Sequence, residues 1–296
     1  MQKLFYLITK NLFCTIITIS IITFIVGCDK ECLLVIDIID VGQGDSILIQ
    51  TPNNKNILVD GGDENSDRTV ESYLRKKHIR TIDKIIVSHP DSDHIGGIDN
   101  VIEDFNVKSV YMSRQSKEYI QKENATTDSS YSNLIKACNN KKIKINFLKK
   151  GDKLKIEDEL NIQILSPTAI SDEPNLNSIV FYMNYKDKKF LFTGDAEKEN
   201  EEEILNTYKL EDIDFLKVGH HGSKTSSSEE FIEKLTPDIS VISCGYKNVY
   251  GHPHQTTIDT LKKVKSKIYR TDEMGDLEFY SDGEKIYTKK NYDLSN

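Results

Sequence analysis

Ser88-His89-Pro90-Asp91-Ser92-Asp93-His94-Ile95-Gly96-Gly97 is the most informative segment of the chain. It places four possible metal ligands, His89, Asp91, Asp93 and His94, directly after a predicted strand and before a Gly-Gly turn. A strand that ends in a tight loop can direct the first two ligands at one point and the last two at a neighbouring point. Imidazole and carboxylate both bind divalent metals, so the segment predicts a site for two ions. The alternative is a polar loop whose carboxylates cap a helix beginning near residue 95, and the two flanking histidines disfavour it.

The composition excludes several classes of protein. The chain has 296 residues, of which five are Cys, and it has 39 Lys plus Arg against 47 Asp plus Glu. So few Cys exclude a scaffold built on disulfides, and a mean hydropathy of -0.47 excludes a protein with many membrane spans. The formal charge of -8 argues against a broad basic face as the main contact with a partner.

The N-terminal residues differ in character from the rest. Residues 12–26 form an uncharged apolar run that is shorter than the ~20 residues a helix needs to cross a bilayer. The run ends just before Cys28, in a sequence that resembles the lipobox of bacterial lipoproteins. We predict a signal peptide over 1–27, lipidation of Cys28, a tether over 28–32 and an extracytoplasmic position on the bacterial cell membrane. An uncleaved signal anchor and a chance Cys behind an ordinary signal peptide are the alternatives.

Residues 33–290 have the pattern of one domain in which strands and helices alternate. Several predicted strands are separated only by tight turns, as antiparallel hairpins require. Helical patterns interrupt the strands in both halves, so we expect two packed sheets with helices outside. Residues 114–130 and 166–177 are polar and are predicted to be surface loops. The predicted helices cover 68–79, 96–105, 131–139, 197–207, 228–235 and 256–265.

Further motifs follow predicted strands or turns along the chain. They are Asp40–Ser46 (DVGQGDS), Leu58–Gly62 (LVDGG), Asn177-Ser178 (NS), Phe192–Glu197 (FTGDAE), Lys217–Ser223 (KVGHHGS) and Tyr250–His254 (YGHPH). With residues 88–97 they resemble the metallo-β-lactamase superfamily, in a variant with Asp91 where the commoner form has its second His. Over residues 33–282 the match is to the extracellular hydrolase domain of ComEC-type competence proteins. Those proteins also carry a polytopic membrane channel that has no counterpart in this sequence, so only the hydrolase module is carried over.

This resemblance implies the fold and the first metal site. The fold would be an α+β, four-layer αββα sandwich, with two mixed sheets packed face to face and helices outside. His89 and Asp91 would bind the first ion, and Asp195 would lie between the two ions. Asn177 stands where related enzymes carry a third His, so the first site is expected to be rich in carboxylate. Such coordination suits Mn²⁺ as well as Zn²⁺.

The resemblance also implies the second site and the substrate contacts. Asp93 and His94 would bind the second ion, and either His220 or His221 would complete its coordination while the other faces the substrate. Two divalent ions lower the pKa of water and contact both the attacking and the leaving oxygen, so no Ser or Cys nucleophile is needed. The expected catalytic residues are Asp93, Asp195 and His252. The expected substrate-binding residues are Asn177, Ser223, His252 and His254.

These features predict a cell-surface hydrolase of phosphoesters with two divalent metal ions, Zn or Mn. The resemblance favours a phosphodiesterase or nuclease, whose partner would be a phosphodiester such as DNA. The acidic composition predicts no basic patch for tight nucleic-acid binding, because that affinity comes from neutralised phosphates. One alternative is an envelope phosphoesterase of the phosphorylcholine-esterase type. Another is a non-catalytic, metal-bound lipoprotein that binds an envelope ligand. Hydrolysis of β-lactams is disfavoured by Asp91.

Overall fold

The computed structural model of the protein describes residues 33–64, 68–126 and 129–288. The predicted signal peptide, the lipidation site Cys28 and the tether that ends at residue 32 lie outside the described residues. Within those three ranges, no helix combines the length and the apolar character needed to cross a membrane.

The described residues form two large sheets and one short strand pair. The strands are β1 Leu34–Ile38, β2 Ile47–Gln50, β3 Asn56–Val59, β4 Thr81–Ile82, β5 Lys84–Val87, β6 Asn106–Val107, β7 Val110–Ser113, β8 Ile145–Leu148, β9 Lys153–Lys155, β10 Leu160–Ser166, β11 Val180–Tyr185, β12 Lys188–Phe192, β13 Phe215–Lys217, β14 Ile239–Ile242, β15 Lys267–Arg270, β16 Leu277–Ser281 and β17 Ile286–Thr288. The first sheet has the order β17-β16-β1-β2-β3-β5-β7-β8, and the second has the order β15-β14-β13-β12-β11-β10-β9. Strands β4 and β6 pair separately.

Both large sheets are mixed. In the first sheet β3, β5, β7 and β8 are parallel neighbours, while the hairpins of β1 with β2 and of β2 with β3 are antiparallel. In the second sheet β12 to β15 are parallel, and β9 to β12 are antiparallel. Parallel neighbours need a crossover connection, and the helices of the chain supply it.

Helices connect the parallel strands. They are α1 Thr69–Lys76, α2 Ser92–Ile95, α3 Ile98–Asp104, α4 Lys117–Ala125, α5 Ser130–Lys141, α6 Lys198–Thr207, α7 Glu229–Leu235, α8 Gln255–Lys263 and α9 Thr271–Met274, with short 3-10 turns at Pro174–Asn177 and Gly219–Gly222.

Three buried apolar clusters show the order of the layers. The first contains residues of both sheets, such as Ile49 and Phe192, and lies between them. The second joins the other face of the first sheet, for example Leu48, to α1, α3 and α5. The third joins the other face of the second sheet, for example Leu216, to α6, α7 and α8. Adjacent strand residues such as Leu48 and Ile49 enter different clusters because side chains alternate across a strand. The expected four-layer αββα sandwich is confirmed.

The segment 114–130, which we predict from sequence as a surface loop, is largely helical. Helix α4 begins after Ser116, whose hydroxyl accepts a hydrogen bond from Tyr119 N (3.0 Å) as an N-cap does. The Tyr119 ring packs edge-on against Tyr131 of α5, with 5.7 Å between ring centroids. The helix has little apolar periodicity for a sequence pattern to detect, and capping and this single aromatic contact hold it in place.

Candidate metal centre

The histidine and aspartate motifs meet at one edge of the two sheets. His89 to His94 follow the C-terminal end of β5 in the first sheet. Asp195 follows β12, and His220 and His221 follow β13, both in the second sheet. Strand β5 is parallel to both of its neighbours, and β12 and β13 are parallel to each other, so within each sheet these C-terminal ends lie at one edge, which is where open α/β sheets place their ligands.

Three imidazoles are held through Nδ1, which leaves Nε2 free to bind a cation. His94 donates its Nδ1 proton to Asp60 Oδ2 (2.9 Å), and His221 donates its own to the carbonyl of Ser243 (2.9 Å). The Nδ1 of His89 lies 3.1 Å from the hydroxyl of Ser88, which itself donates to Asp60 (2.6 Å). Histidines that bind metals are typically oriented in this way by carboxylate or carbonyl acceptors.

Asp195 lies between two groups of possible ligands. Its Oδ1 is 3.2 Å from His94 Nε2, and its Oδ2 is 3.5 Å from His221 Nε2. The same Oδ2 is 3.9 Å from His89 Nε2. A carboxylate within reach of both ligand groups could bind two ions, which is the role that the resemblance implies for Asp195.

The second predicted ligand group is brought together, and His221 belongs to it. Asp93 Oδ2 lies 3.2 Å from His221 Nε2, and the Nε2 atoms of His94 and His221 are 3.3 Å apart. One ligand atom from each of Asp45, His94, Asp195 and His221 lies within 4.8 Å of the other three. Two imidazole nitrogens and two carboxylate oxygens this close together can bind a divalent ion.

The first predicted group is smaller, and Asn177 does not join it. Asp91 Oδ2 is 3.7 Å from His89 Nε2. The buried Asn177 amide instead accepts a hydrogen bond from Ser171 N (2.8 Å) and donates to Ser171 O (2.7 Å) and Gln115 Oε1 (3.1 Å). The expected substrate contact of Asn177 stays a prediction, and in this structure its polar atoms fix the loop before β11.

Adjacent histidines point in different directions because they occupy a turn. His220 and His221 have φ of 47° and 54°, in the left-handed region, so the chain reverses between β13 and Ser223. His221 is buried, whereas His220 is partly exposed, with Nε2 3.6 Å from Asp195 Oδ2 and Nδ1 3.1 Å from Thr225 Oγ1. Of the pair, His221 is the one that meets Asp93 and His94, and His220 is at the mouth of the site.

Asp45 and Lys217 form a buried ion pair behind His221. Lys217 Nζ lies 2.6 Å from Asp45 Oδ2, and Asp45 Oδ1 lies 3.4 Å from His221 Nδ1. Because Asp45 faces Nδ1 rather than Nε2, and its other oxygen is paired with Lys217, we assign it to orienting His221. Gly44 allows the segment that carries Asp45 to pack against the loop that carries Asp93, since a Cβ at Gly44 would lie 2.2 Å from the carbonyl oxygen of Asp93.

Sequence reasoning did not identify Asp45, Asp60 or Lys217 as functional. All three are buried. The sequence did contain a signal for these three residues. It places a lysine inside a predicted strand and aspartates beside glycines at strand ends, which is unusual for purely structural positions. Their partners are far apart in the chain, however: Lys217 and Asp45 are separated by 172 positions.

The arrangement fits divalent metal ions. His89 Nε2 and Asp195 Oδ1 are buried and make no hydrogen bond in the described part of the protein. A buried polar atom without a partner is costly, and a bound cation would satisfy both atoms. The donor set of imidazole nitrogen and carboxylate oxygen accepts several first-row metals.

Protonation of the site depends on its carboxylates. Burial alone would lower the pKa of His221, but Asp195, Asp45 and Asp93 reverse this effect and raise it to about 10. Burial also opposes protonation of His94, yet Asp195, Asp93 and Asp60 raise its pKa well above 6.5. In the metal-free protein, protons on His94 and His221 therefore occupy positions in which a metal ion would bind.

We expect metal affinity to fall as the pH falls. At neutral pH the metal-free His94 and His221 carry protons that a metal ion must displace, so binding releases protons and strengthens as pH rises. The association constant should rise by about tenfold per pH unit for each displaced proton. Calorimetric titration with Mn²⁺ at pH 6, 7 and 8, repeated in buffers of different ionisation heat, measures both quantities. An affinity that does not change with pH would contradict this assignment.

The mouth of the site contains two further histidines. The ring centroid of His252 lies 5.7 Å from that of His220 and 5.0 Å from that of His254. His254 Nδ1 accepts a hydrogen bond from Lys224 N (3.2 Å). Burial lowers the pKa of His252 to about 4, and His221, His220 and His254 act in the same direction. His252 is therefore neutral at pH 7.

Ser223 is held in the turn that follows His221. Its side chain is buried, and its hydroxyl accepts a hydrogen bond from Thr225 N (3.3 Å) and lies 3.1 Å from Thr225 Oγ1. Its carbonyl accepts a hydrogen bond from Thr257 Oγ1. The expected substrate contact of Ser223 stays a prediction, and in this structure its hydrogen bonds stabilise the turn that carries His220 and His221.

Comparison with known proteins agrees with this geometry. Residues 39–246 match the family model of the metallo-beta-lactamase superfamily. ComE operon protein 3 of Bacillus subtilis is 30% identical over 92% of this chain and 36% of its own length. Recombination protein 2 of Haemophilus influenzae is 33% identical over 80% of this chain and 27% of its own length. The chain thus spans only about a third of the length of these relatives.

A solved structure shares the fold. CmlA, a diiron beta-hydroxylase from Streptomyces venezuelae, superposes with a TM-score of 0.53 at 13% identity, over 80% of this chain and 52% of CmlA. The family match over residues 39–246 and the identity to ComE operon protein 3 show that the chain belongs to the metallo-β-lactamase superfamily of metal-dependent hydrolases, where it is similar to ComEC-type competence proteins.

Proposed function

We propose that the protein is a phosphodiesterase that uses two divalent metal ions and acts on a nucleic acid strand. The observation that supports this most is the position of Asp195, whose carboxylate oxygens lie 3.9 Å from His89 of the first ligand group and 3.2 and 3.5 Å from His94 and His221 of the second. Two divalent ions, when bound, supply Lewis acidity and lower the pKa of water.

The charge of the site favours an anionic substrate. Asp91, Asp93 and Asp195 contribute three negative charges as ligands, and two divalent ions contribute four positive charges. Before a bound water is ionised, the loaded centre therefore retains a positive charge that attracts a phosphodiester. The acidic total charge of the chain opposes this only weakly, because exposed charges beyond ~10 Å are screened by salt.

The residues at the mouth suit substrate binding. His220 is partly exposed beside Asp195, and the neutral imidazole of His252 lies next to it. In the substrate-free protein, a neutral His252 holds no extra proton for a leaving group, which favours contact with the substrate over the alternative of general acid catalysis. His220 and His252 would orient the phosphodiester at the centre.

The experiment compares substrates on the purified protein after removal of metal and reloading with Mn²⁺ or Zn²⁺. We expect cleavage of single-stranded or double-stranded DNA oligonucleotides and of a nitrophenyl phosphodiester. Cleavage of the nitrophenyl ester and of phosphorylcholine compounds without any cut in DNA would favour the envelope phosphoesterase instead. No hydrolysis of any of these with either metal would overturn the proposal.

We further propose that the protein is anchored outside the cytoplasm through a lipid on Cys28. The sequence around Cys28 resembles a lipobox, and its relatives include competence proteins such as ComA of Neisseria gonorrhoeae. Cys28→Ala is expected to release the protein into the medium or leave it unprocessed, as judged by fractionation and immunoblotting. Membrane retention of the variant at the mature size would count against lipidation.

A further inference from the structure

A loop beside the metal centre exposes apolar side chains that the proposed chemistry does not use. Of the six large apolar side chains exposed in the described ranges, three lie in residues 245–251, here called the aromatic loop. They are Tyr246 (72% exposed), Val249 (93%) and Tyr250 (62%). Single exposed apolar residues are common, but a cluster of them beside a functional site marks a contact surface.

The aromatic loop is braced by hydrogen bonds. The amide of Asn248 donates to the carbonyls of Gly245 (2.9 Å) and His252 (2.6 Å), and it accepts from His252 N (2.9 Å). Gly245 N donates to Gln43 Oε1 (3.2 Å). The turn that carries the tyrosines is thus fixed to the loop before β2, so that little ordering entropy is lost when a ligand binds.

The aromatic loop is continuous with the metal centre. The ring of Tyr250 stacks on His252, with centroids 5.6 Å apart and planes 23° apart. The His252 ring in turn lies 5.7 Å from His220 and 6.3 Å from His221. A ligand that stacks on Tyr250 would therefore lie beside the centre, and Tyr246 belongs to the same loop.

The charges near the loop suit a phosphate backbone, but they are few. Lys247 Nζ lies 5.1 Å from the centroid of the Tyr246 ring. Lys224 lies beside His254, because its backbone N–H donates a hydrogen bond to His254 Nδ1. The chain as a whole has a charge of -8. An acidic protein cannot hold a nucleic acid mainly by neutralising phosphates, whereas stacking of bases on aromatic rings contributes largely independently of charge.

We infer that Tyr246 and Tyr250 form a stacking surface for unpaired nucleobases next to the phosphodiester that is bound at the metal centre. The inference rests on the proposed function and specifies its substrate as a single strand. Bases in a duplex are already stacked on their neighbours and hydrogen-bonded across the helix, so their faces are not available to tyrosine rings.

Steady-state cleavage tests the inference with two strands of equal length. One is an oligothymidylate, and the other is an abasic oligomer that has the same phosphate backbone without bases. Tyr246→Ala is expected to raise KM for oligothymidylate by about tenfold, the loss of one base stack, while kcat stays nearly constant. Its KM for the abasic oligomer should not change. Tyr246→Phe should restore the wild-type KM, because stacking needs the ring and not the hydroxyl.

Two further variants complete the design. Tyr250→Ala should raise KM for oligothymidylate in the same way, and its kcat shows whether His252 is disturbed. Tyr287→Ala is the matched control, because Tyr287 is an exposed tyrosine of β17 that stacks on Tyr280. Equal KM values for wild type and Tyr246→Ala on oligothymidylate, or an equal loss on both strands, would overturn the inference.

Binding in the presence of a chelator separates this inference from the proposed function. Fluorescence anisotropy of labelled oligothymidylate and labelled abasic oligomer needs no cleavage. If the wild-type protein binds oligothymidylate more tightly than the abasic oligomer and Tyr246→Ala does not, the stacking surface is supported even if no strand is ever cut. Cleavage of both strands with no preference for bases would leave the phosphodiesterase intact and reject the stacking surface.

Discussion

Asp195→Asn is expected to lower kcat/KM for phosphodiester hydrolysis by about a thousandfold and to reduce the metal bound per chain. The substitution keeps the shape of the side chain but removes the charge that faces His89, His94 and His221. A loss of several kcal/mol of transition-state stabilisation corresponds to a factor of this size. Kinetics and metal analysis of the same preparation measure both effects.

The matched control for Asp195→Asn is Asp158→Asn. Asp158 is almost fully exposed at a turn, and among the described residues it forms an ion pair with Lys155 on the surface. Such surface pairs contribute at most about 1 kcal/mol, so this variant should keep its metal, activity and thermal stability. If Asp195→Asn kept both ions and full activity, Asp195 could not be the residue that joins the two ligand groups.

The local part of the centre could be predicted from sequence, because its ligands are close together in the chain. His89 to His94 follow one strand, and the spacing alone indicates two neighbouring ion sites. The choice between His220 and His221 could not be made in this way. It depends on a left-handed turn and on the carbonyl of Ser243, which comes from the next strand of the sheet.

The order of layers could be predicted because apolar residues repeat with the period of strands and helices. Helix α4 could not, since its N-cap and the packing of Tyr119 on Tyr131 decide it rather than periodicity. The hydrogen-bond partners of Asn177 and Ser223 could not be predicted either, because polar residues in loops resemble substrate contacts. Their hydrogen bonds to Ser171, Gln115 and Thr225 become visible only when the loops are folded.

Lys217→Met is expected to lower the free energy of unfolding by about 3–5 kcal/mol, because it leaves the buried carboxylate of Asp45 without its cation. Burial opposes ionisation of Asp45, and the charges of Lys217 and His221 reverse this and lower its pKa. Metal affinity should also fall, by about 10–100-fold, since Asp45 without Lys217 is no longer held in the position from which it orients His221. Chemical denaturation and calorimetric titration with Mn²⁺ measure the two effects.

The double variant Lys217→Met/Asp45→Leu distinguishes a structural ion pair from one that orients His221. Replacing both charges with apolar side chains removes the uncompensated buried carboxylate, so most of the stability should return. The double variant still lacks Asp45 Oδ1, which lies 3.4 Å from His221 Nδ1 in the wild-type protein, so Ser243 O alone orients the ring. We therefore expect metal affinity to stay low while stability recovers. Recovery of wild-type metal affinity in the double variant would show that Lys217 and Asp45 serve the fold alone, because an orienting contact cannot be replaced by leucine.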